Sequence, residues 1–480
     1  MNYNAISIQP KTEVFSLNSG LFLLEQLWKA LRLEKKFKQL LPRKKKSRGI
    51  NQINKFKSLI FSFAIGNDSL SDIDDLRDDP IFTQVIGGTT SSTSMGDFLR
   101  SFGNRHVEKL QDALMESVIE LRLALFPHDK KFIITMDSTP HEHYAKKMEG
   151  LAYNYKDMWC LDSQNAYDQY GFSYLFDLRS GNTYSANESE LWVHRLYSKI
   201  PKAMDRFFRA DSAYSKHIVL KGLGIKNVSY AIALKDNIGA YVRRKNKNLI
   251  TWKKTKLQFF DSNECEVAMG LYPIKNLGNL RVVFIRAPKK DQQLNLLDDP
   301  SESGYRHYSI VTNIDSFDMN EEEIIDFYRQ RSTAENYIRE QKYGYDFLHF
   351  PCKRLKANKV FGLAGTISHN LMRALSFMMD QKEKRVRGKN GKRKTVIQLG
   401  YYAKKIRTKL INIAGKIVCS ARKMKLRLTR HNWEVYEKIM CKITNTKQRY
   451  VPYKTLSELF NNRITGTTNL AMSPRADTGP

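Results

Sequence analysis

Two short apolar segments that each end in an aspartate constrain the fold of this chain more than any other feature. The segment KKFIITMD ends at Asp137 and the segment DRFFRAD ends at Asp211, and each predicts a strand followed by a turn. Residues 188–200 and 215–223 predict helices, and residues 228–235 predict another strand. This alternation predicts a parallel or mixed sheet with helical crossovers.

Two further regions predict β-structure. Residues 171–185, GFSYLFDLRSGNTYS, alternate apolar and polar side chains around Ser180-Gly181-Asn182 and predict a hairpin. Residues 237–318 contain short strand-like segments separated by Asn, Gly and Pro turns, among them YVRRKNKNLITWKK. We therefore expect a β-rich insertion in this region.

The terminal regions have a different character. Residues up to about 126 predict mainly helices, including one over residues 21–33 and one that is capped near Thr93. The aspartates between residues 72 and 79 are interpreted as helix starts and solvated charges. The region after residue 381 is densely basic and predicts C-terminal helices, and the tail from Thr465 predicts disorder.

The segment YRQRSTAENYIREQK, from Tyr328 to Lys342, carries the clearest chemical signal. Its spacing places Tyr328, Arg331, Glu335 and Lys342 on one side of a helix. Such a face can hold a divalent metal through Glu335 while Arg331 and Lys342 bind phosphates. The same spacing also occurs on many solvated helices, where the ion pairs contribute little.

A metal bound at Glu335 would need further acidic ligands, because a lone carboxylate binds magnesium poorly. Asp137 and Asp211 are the candidates, since each follows a predicted strand. Each aspartate could instead cap a turn, as Asp commonly does. His141 and His143 follow Asp137 closely, and we expect them in a solvated turn after Pro140.

The charge of the chain indicates a polyanionic partner. The sequence has 80 Lys and Arg residues against 49 Asp and Glu residues, which gives a formal net charge of +31. Basic runs fall in four separate regions, at residues 35–57, 243–256, 353–359 and 382–430. A basic run is often only a solvated face, but several such runs suggest an extended DNA-binding track with strongly salt-dependent affinity.

Other sequence features narrow the class of protein. A chain of 480 residues predicts two or three domains with a sizeable core. The start of the sequence lacks the apolar core of a secretory signal, and the apolar run LIFSFAI is too short to span a bilayer. The five cysteines are scattered without CxxC spacing, so disulfides and zinc are not indicated. We expect a cytoplasmic protein.

The segment Tyr328–Lys342 resembles the YREK signature of bacterial insertion-sequence transposases of the DDE type. Tyr, Arg, Glu and Lys match this signature in order and spacing, without a gap. Asp137, Asp211 and Glu335 follow the D, D, E order of the same family, and a serine follows each aspartate. The flanking segments FLHFPCKRLKANKVFGLAGTISHNLMRAL and SLSDIDDLRDDPIF are also similar to the family.

The resemblance implies an α/β fold: an RNase H-like mixed sheet flanked by helices, with a β-rich insertion and helical N- and C-terminal regions. It places the first acid on the central strand, the second beyond a neighbouring strand and the third on a later helix. The implied regions are a helical N-terminal DNA-binding region at 1–126, the first part of the core at 127–236, the insertion at 237–318, the second part of the core at 319–380, and a basic C-terminal region with a flexible tail at 381–480.

The implied function is DNA transposition. Asp137, Asp211 and Glu335 would hold two Mg²⁺ ions, for which Mn²⁺ substitutes, and the enzyme would hydrolyse the element ends and join the freed 3′ hydroxyls to target DNA. The implied DNA-binding residues are Tyr328, Arg331, Lys342, Trp252, Lys253 and Lys254. Trp252 would either stack on a flipped base or pack on the core.

The implied partners are double-stranded DNA, as element ends and as target, and a second copy of the chain in a homodimeric synaptic complex on the bacterial nucleoid, with no membrane. Two alternatives remain at this point. The first is an RNase H-like metal-dependent nuclease or resolvase, which would cut without joining. The second is a non-catalytic DNA-binding protein derived from a transposase, which would not need its carboxylates.

Overall fold

The computed structural model describes residues 13–44, 48–144, 147–289, 304–379, 383–387, 393–397, 400–420 and 423–462. The tail from Thr465, for which the sequence predicts disorder, lies outside the described residues. Within them, the chain forms a large mixed sheet, a three-stranded sheet, a two-stranded ribbon and helices that cover the large sheet. No helix in this part of the chain is both long and apolar enough to cross a membrane.

The large sheet carries the centre of the fold. Its ten strands are β2 (Lys131–Glu142), β3 (Ala152–Tyr153), β4 (Trp159–Tyr167), β5 (Ser173–Ser180), β6 (Asp205–Ala210), β7 (Ser229–Ala233), β8 (Lys253–Thr255), β9 (Cys265–Ile274), β10 (Gly278–Pro288) and β11 (Tyr305–Thr312). The spatial order is β3-β4-β2-β6-β7-β11-β10-β9-β8, and β5 pairs with β4 beside β3. Strands β2, β6 and β7 are parallel, and the other pairs are antiparallel. The predicted mixed sheet is therefore confirmed.

Helices pack on this sheet, and further helices form the N-terminal and C-terminal regions. They are α1 (Leu21–Ala30), α2 (Leu33–Lys38), α3 (Gln52–Ile65), α4 (Asp72–Asp75), α5 (Pro80–Gln84), α6 (Ser92–Arg100), α7 (Asn104–Leu125), α8 (Ser189–Lys199), α9 (His217–Ile225), α10 (Asp236–Lys245), α11 (Glu321–Arg329), α12 (Thr333–Gly344), α13 (Leu355–Met378), α14 (Ala403–Ile406), α15 (Arg430–Arg449) and α16 (Tyr453–Asn462). Helix α13 is buried along most of its length and contacts α3, α7 and β5. It joins the helical N-terminal region to the sheet.

The N-terminal and C-terminal regions share one small sheet. Strand β1 (Val14–Ser16) pairs with β14 (Gly415–Ser420), which in turn pairs with β15 (Lys423–Arg427). The remaining strands, β12 (Glu383–Arg387) and β13 (Arg393–Ile397), pair with each other. The N–H groups of Ser19 and Gly20 donate to the carbonyl groups of Ile413 and Ile411, so the start of α1 is bound to the C-terminal region.

Two local predictions were wrong in their details. The hairpin predicted within residues 171–185 does not form, because β5 ends at Ser180 and its partner is β4. The turn between them contains Asp168, whose Oδ1 accepts the N–H groups of Tyr170 and Phe172. The segment YVRRK, predicted as a strand, belongs to helix α10.

Strands β8 to β11 lie within the region predicted as a β-rich insertion. They continue the central sheet beyond β7, with β11 pairing directly to β7, and do not form a separate sheet. Helix α11 packs against β7, β9 and β10. The insertion strands therefore help to position the helical segment that carries Tyr328.

Candidate active site

Asp137 and Asp211 lie side by side at the centre of the large sheet. Met136 on β2 is the register partner of Ala210 on β6, in parallel strands. The two aspartates are the next residues of these strands, and neighbouring strands are about 4.8 Å apart. Strand β2 continues to Glu142, so Asp137 does not end its strand as predicted; it lies where the pairing with β6 ends.

Local hydrogen bonds fix both carboxylates. Oδ1 of Asp211 accepts the N–H of Ala213 at 2.9 Å and caps the 3₁₀ turn Ser212–Tyr214. Oδ1 of Asp137 accepts the N–H of Ser138 at 2.9 Å. Asp211 thus has the capping role that its sequence context also allowed.

Glu335 comes from a helical segment that is not one regular helix. Helix α11 ends at Arg329, a 3₁₀ turn spans Gln330–Ser332, and α12 begins at Thr333. The prediction of a single helix from Tyr328 to Lys342 was therefore wrong. Tyr328 lies in the last turn of α11, Arg331 in the 3₁₀ turn, and Glu335 in the first turn of α12.

The 3₁₀ turn directs Arg331 towards the sheet. Its Nη1 donates to Oδ2 of Asp137 at 3.1 Å, and its Nη2 donates to Oε1 of Glu335 at 3.3 Å. One guanidinium therefore connects the first acid to the third. The side chains of Asp137 and Arg331 are 15% and 19% exposed and that of Glu335 is 55% exposed, so solvent reaches the site from the helix side.

Burial dominates the electrostatics of the two aspartates. It raises the pKa of Asp137 from 3.8 to about 6, against the opposing effect of Arg331, and the charges of Asp211 and Glu335 act in the same direction as burial. Burial also raises the pKa of Asp211, although the N–H of Ala213 opposes this shift. The site thus concentrates negative charge that one arginine compensates only in part.

A divalent cation fits the chemistry of this site. Carboxylate oxygens are the ligands that Mg²⁺ prefers, and the carboxylates of Asp211 and Glu335 are close enough to Asp137 to influence its pKa. Among the described residues, however, no three Asp, Glu, His or Cys side chains are grouped closely enough to hold a metal ion. Arg331 instead bridges Asp137 and Glu335, so metal binding by all three acids requires the guanidinium to move.

Hydrogen bonds fix the side chains of Tyr328 and Lys342 on the sheet. Tyr328 is buried, and its hydroxyl shares a 2.7 Å hydrogen bond with the hydroxyl of Tyr308 on β11. Nζ of Lys342 donates to the carbonyl of Pro140 on β2 at 2.6 Å. Burial lowers the pKa of Lys342. Lys342 therefore contacts the same strand as Asp137, a few residues further along.

Trp252 is partly buried at the far edge of the sheet. Its ring packs near Phe284 and His307, and the guanidinium of Arg286 lies 4.0 Å from the ring centroid. Lys253 and Lys254 are exposed on β8. Part of the indole therefore packs on the core, and the stacking of Trp252 on a base stays a prediction.

Sequence reasoning missed Arg209 and placed His141 in the wrong environment. Arg209, two residues before Asp211, donates from Nη1 to the carbonyl of Phe327 at 2.9 Å and so holds the end of α11 against β6. His141 is buried on β2, not in a solvated turn, and its ring nitrogens bond to the Phe347 carbonyl and the Ser163 hydroxyl. An arginine inside an apolar strand was the one available signal for Arg209.

The fold and the site together define a class of protein. A mixed sheet flanked by helices, with one aspartate on a central strand, a second directly after the neighbouring parallel strand and a glutamate on a later helix, has the RNase H-like architecture that the sequence resemblance implied. The family model for the transposase DDE domain, group 1, matches residues 2–450, nearly the whole chain. The chain therefore belongs to the DDE transposase family, as predicted. A comparison with curated proteins found no match.

Membership of this family implies a metal-dependent enzyme that acts on DNA, and DDE transposases generally use divalent metals such as Mg²⁺. The YREK subgroup and a bacterial source stay predictions.

Proposed function

We propose that this chain is the transposase of a bacterial insertion sequence, which binds the terminal inverted repeats, cleaves at the element ends and joins the 3′ hydroxyl ends to target DNA. One observation carries the proposal: Asp137 and Asp211 follow paired residues of adjacent parallel strands, and Arg331 connects Asp137 to Glu335. Asp137 and Glu335, which are far apart in the sequence, thus share one guanidinium, and Asp211 follows the strand next to Asp137. This arrangement supports the proposal, because phosphoryl transfer needs negative ligands for cations.

Asp137, Asp211 and Glu335 are the residues that would hold divalent ions, two in our proposal, with Mg²⁺ or Mn²⁺ as the ion. When bound, these ions would activate the attacking oxygen and neutralise charge on the leaving oxygen. The strands fix Asp137 and Asp211 before any ligand arrives, because both carboxylates are already bound to backbone N–H groups. Glu335, the most exposed of the three, is the acid with room to adjust.

The basic side chains of the site have separate roles in this proposal. Arg331 keeps Asp137 and Glu335 in place without metal and, once cations replace it, can bind a phosphate group bidentately. Lys342, held by the Pro140 carbonyl, presents its charge beside β2. Tyr328, whose hydroxyl is buried against Tyr308, would orient the scissile phosphate through Arg331. Trp252, Lys253 and Lys254 would contact the DNA further from the reacting bond.

The test uses a plasmid that carries the inverted repeats flanking the reading frame, incubated with the purified protein, Mg²⁺ and target DNA. We expect cleavage at both inverted repeats and products in which the 3′ ends are joined to the target DNA. A complex of two protein copies would form these products. Asp137→Asn, Asp211→Asn and Glu335→Gln each reduce cleavage about a thousand-fold, because an ion contributes several kcal/mol and each 1.4 kcal/mol is tenfold in rate. All three variants keep binding to the repeats.

Asp326→Asn is the matched control, because Asp326 is an exposed acid on helix α11, in the same helical segment as Glu335. It should cleave like the wild type. Cleavage without joined products would favour the nuclease alternative over transposition. Repeat binding without any cleavage by the wild type would favour a non-catalytic DNA-binding protein. Full cleavage activity in any of the three acid variants would show that the substituted acid is not part of the active site.

A further inference from the structure

A hairpin next to the candidate active site exposes an unusual number of aromatic side chains. Strands β3 and the start of β4 form this hairpin, in which Tyr153 pairs with Trp159 across the strands. Trp159 is 55% exposed and Tyr155, at the tip, is 82% exposed. Tyr144, which precedes the hairpin, is also exposed. We call the surface formed by Tyr144, Tyr153, Tyr155, Lys156 and Trp159 the hairpin surface.

The turn that carries the hairpin surface is rigid. Oδ1 of Asn154 accepts the N–H groups of Lys156 and Met158, and the N–H of Asn154 donates to the carbonyl of Met158. Asp157 has a positive φ of 57°, which closes the turn tightly. The aromatic rings of Tyr153 and Trp159 lie 5.8 Å apart in an edge-to-face arrangement. These side chains would therefore lose little conformational freedom on binding a ligand.

Basic residues surround these aromatic rings. Nζ of Lys156 lies 5.6 Å from the centroid of the Tyr155 ring. The N–H of Glu149 donates to the carbonyl of Lys353, which brings a second basic segment beside the hairpin. The exposed cations of this area are Lys147, Lys156, Lys353, Arg354 and Lys356.

The acids of the same area are Glu142, Glu149 and Asp157. Glu142 accepts the Tyr144 hydroxyl, and Glu149 accepts the N–H of Leu355. Among the described residues of this surface, cations therefore outnumber acids, and two of the acids are already hydrogen-bonded. A polyanion is the partner that suits this charge.

The hairpin surface is continuous with the candidate active site. Lys342 binds the Pro140 carbonyl on β2, and Pro140 is the register partner of Asp162 on β4, three residues from Trp159. Lys156 is near enough to contribute, after burial, to the lowered pKa of Lys342. A strand of DNA bound at Lys342 can thus reach the hairpin surface.

We propose that the hairpin surface stacks on unpaired bases of the DNA strand that leaves the active site. This inference rests on the proposed function, which makes DNA the partner of the chain. It adds that the hairpin surface recognises single-stranded DNA. Paired bases are stacked inside a duplex and offer no free face, whereas unpaired bases stack on exposed aromatic rings beside a basic groove. Four exposed aromatic residues with flanking lysines have the chemistry of such a platform.

The experiment compares two DNA ligands without metal: a blunt duplex of the element end, and the same duplex with a single-stranded oligo-dT extension. Binding is measured by fluorescence anisotropy for the wild type, Trp159→Ala and Tyr155→Ala. Both variants should lose about five- to a hundred-fold in affinity for the extended duplex and less than about two-fold for the blunt duplex. The wild type should prefer the extended duplex.

Trp433→Ala is the matched control, because Trp433 is exposed to almost the same extent, 53%, but lies on helix α15. It should bind both ligands like the wild type. Far-UV circular dichroism verifies folding, and Trp159→Tyr, which keeps an aromatic ring, should retain most of the preference. Equal losses on both ligands would indicate backbone contacts and overturn the proposal, as would unchanged binding.

A sedimentation coefficient of Trp159→Ala that differs from that of the wild type would also overturn the proposal. It would show that Trp159 lies in an interface between copies of the chain. The measurement is independent of catalysis. If the wild type prefers the extended duplex but never cleaves DNA with Mg²⁺, the hairpin inference stands and the proposed function fails. If the wild type cleaves DNA but does not prefer the extended duplex, the proposed function stands and the hairpin inference fails.

Discussion

Arg331 and Asp137 form an ion pair of 3.1 Å between Nη1 and Oδ2, although 194 residues separate them in the sequence. The other terminal nitrogen of the same guanidinium binds Glu335 at 3.3 Å. A cation of the chain thus lies where the acids of a DDE site would otherwise repel one another. This geometry predicts competition between Arg331 and a divalent metal for the same carboxylates.

Arg331→Ala should make the protein more responsive to Mg²⁺. Without the guanidinium, Asp137 and Glu335 lose their shared partner, so the metal-free protein becomes less stable and binds the ion without displacing a cation. We expect the stabilisation by saturating Mg²⁺ to exceed that of the wild type by at least about 1 kcal/mol, the size of a partly exposed ion pair. Urea unfolding with and without Mg²⁺ measures the difference.

Arg339→Ala serves as the control for this experiment, because Arg339 is exposed on the same helix, α12. Its response to Mg²⁺ should equal that of the wild type. An identical Mg²⁺ effect in Arg331→Ala and Arg339→Ala would show that the guanidinium and the metal do not compete.

Lys342→Gln should remove one phosphate contact from the complex with DNA. Each phosphate neutralised by a lysine contributes about 0.9 to the slope of log K against log salt. The variant should therefore lower this slope by about one unit, while Lys342→Arg keeps it. Lys109→Gln, a change of an exposed lysine on helix α7, is the control. If the slope of Lys342→Gln equals that of the wild type, Lys342 does not contact a phosphate, and its role is limited to the hydrogen bond with the Pro140 carbonyl.

The parallel strands and their acids could be predicted from sequence because the signals are local. An apolar segment ending in Asp predicts a strand with a polar end; this is correct for Asp211, which directly follows β6, whereas β2 continues beyond Asp137. Strand β4 was not predicted, because its local sequence lacks a clear strand signal. Its polar residues Asp162, Gln164 and Asn165 are buried, so the segment lacks the alternation that indicates a strand.

Contacts between remote residues account for two further errors. The break between α11 and α12 lies beside the bond from Arg209 to the Phe327 carbonyl, across 118 residues. The burial of His141 depends on the Phe347 carbonyl, across 206 residues. Helical periodicity and turn propensity describe neighbours in sequence, so neither could predict these two features.

His141 should make the protein sensitive to acid. Burial lowers the pKa of His141 to about 3, below its usual value of 6.5. Between these values the unfolded chain takes up a proton that the folded chain does not, so stability falls as the pH decreases below 6.5. At pH 5 the loss is about 2 kcal/mol for this residue.

The measurement for His141 is the unfolding free energy of the wild type and His141→Gln in urea at pH 7.5 and pH 5. Glutamine does not titrate, so the cost of the substitution should be about 2 kcal/mol smaller at pH 5 than at pH 7.5. His143→Gln is the control, because His143 is only partly buried. The same cost of His141→Gln at both pH values would contradict a neutral, buried imidazole.

Gly20→Ala should loosen the attachment of the C-terminal region. A Cβ atom at residue 20 would lie 2.0 Å from the Leu410 carbonyl oxygen and 2.4 Å from the Ile411 Cα, and both are backbone atoms that cannot rotate away. We expect a loss of about 1–3 kcal/mol, as for other overpacked sites. Gly20 has a φ of −66°, which alanine adopts freely, so any loss comes from this contact alone.

Gly222→Ala on helix α9 is the matched control, because a Cβ atom at residue 222 would meet no other side chain or remote backbone atom within 4 Å. That substitution should stabilise the protein by about 0.5–1 kcal/mol, since alanine restricts the unfolded chain and favours the helix. Urea unfolding measures both variants, and limited proteolysis should cut Gly20→Ala first between α13 and β14. Equal stability of the two variants would mean that α1 does not pack on residues 410–413 in solution.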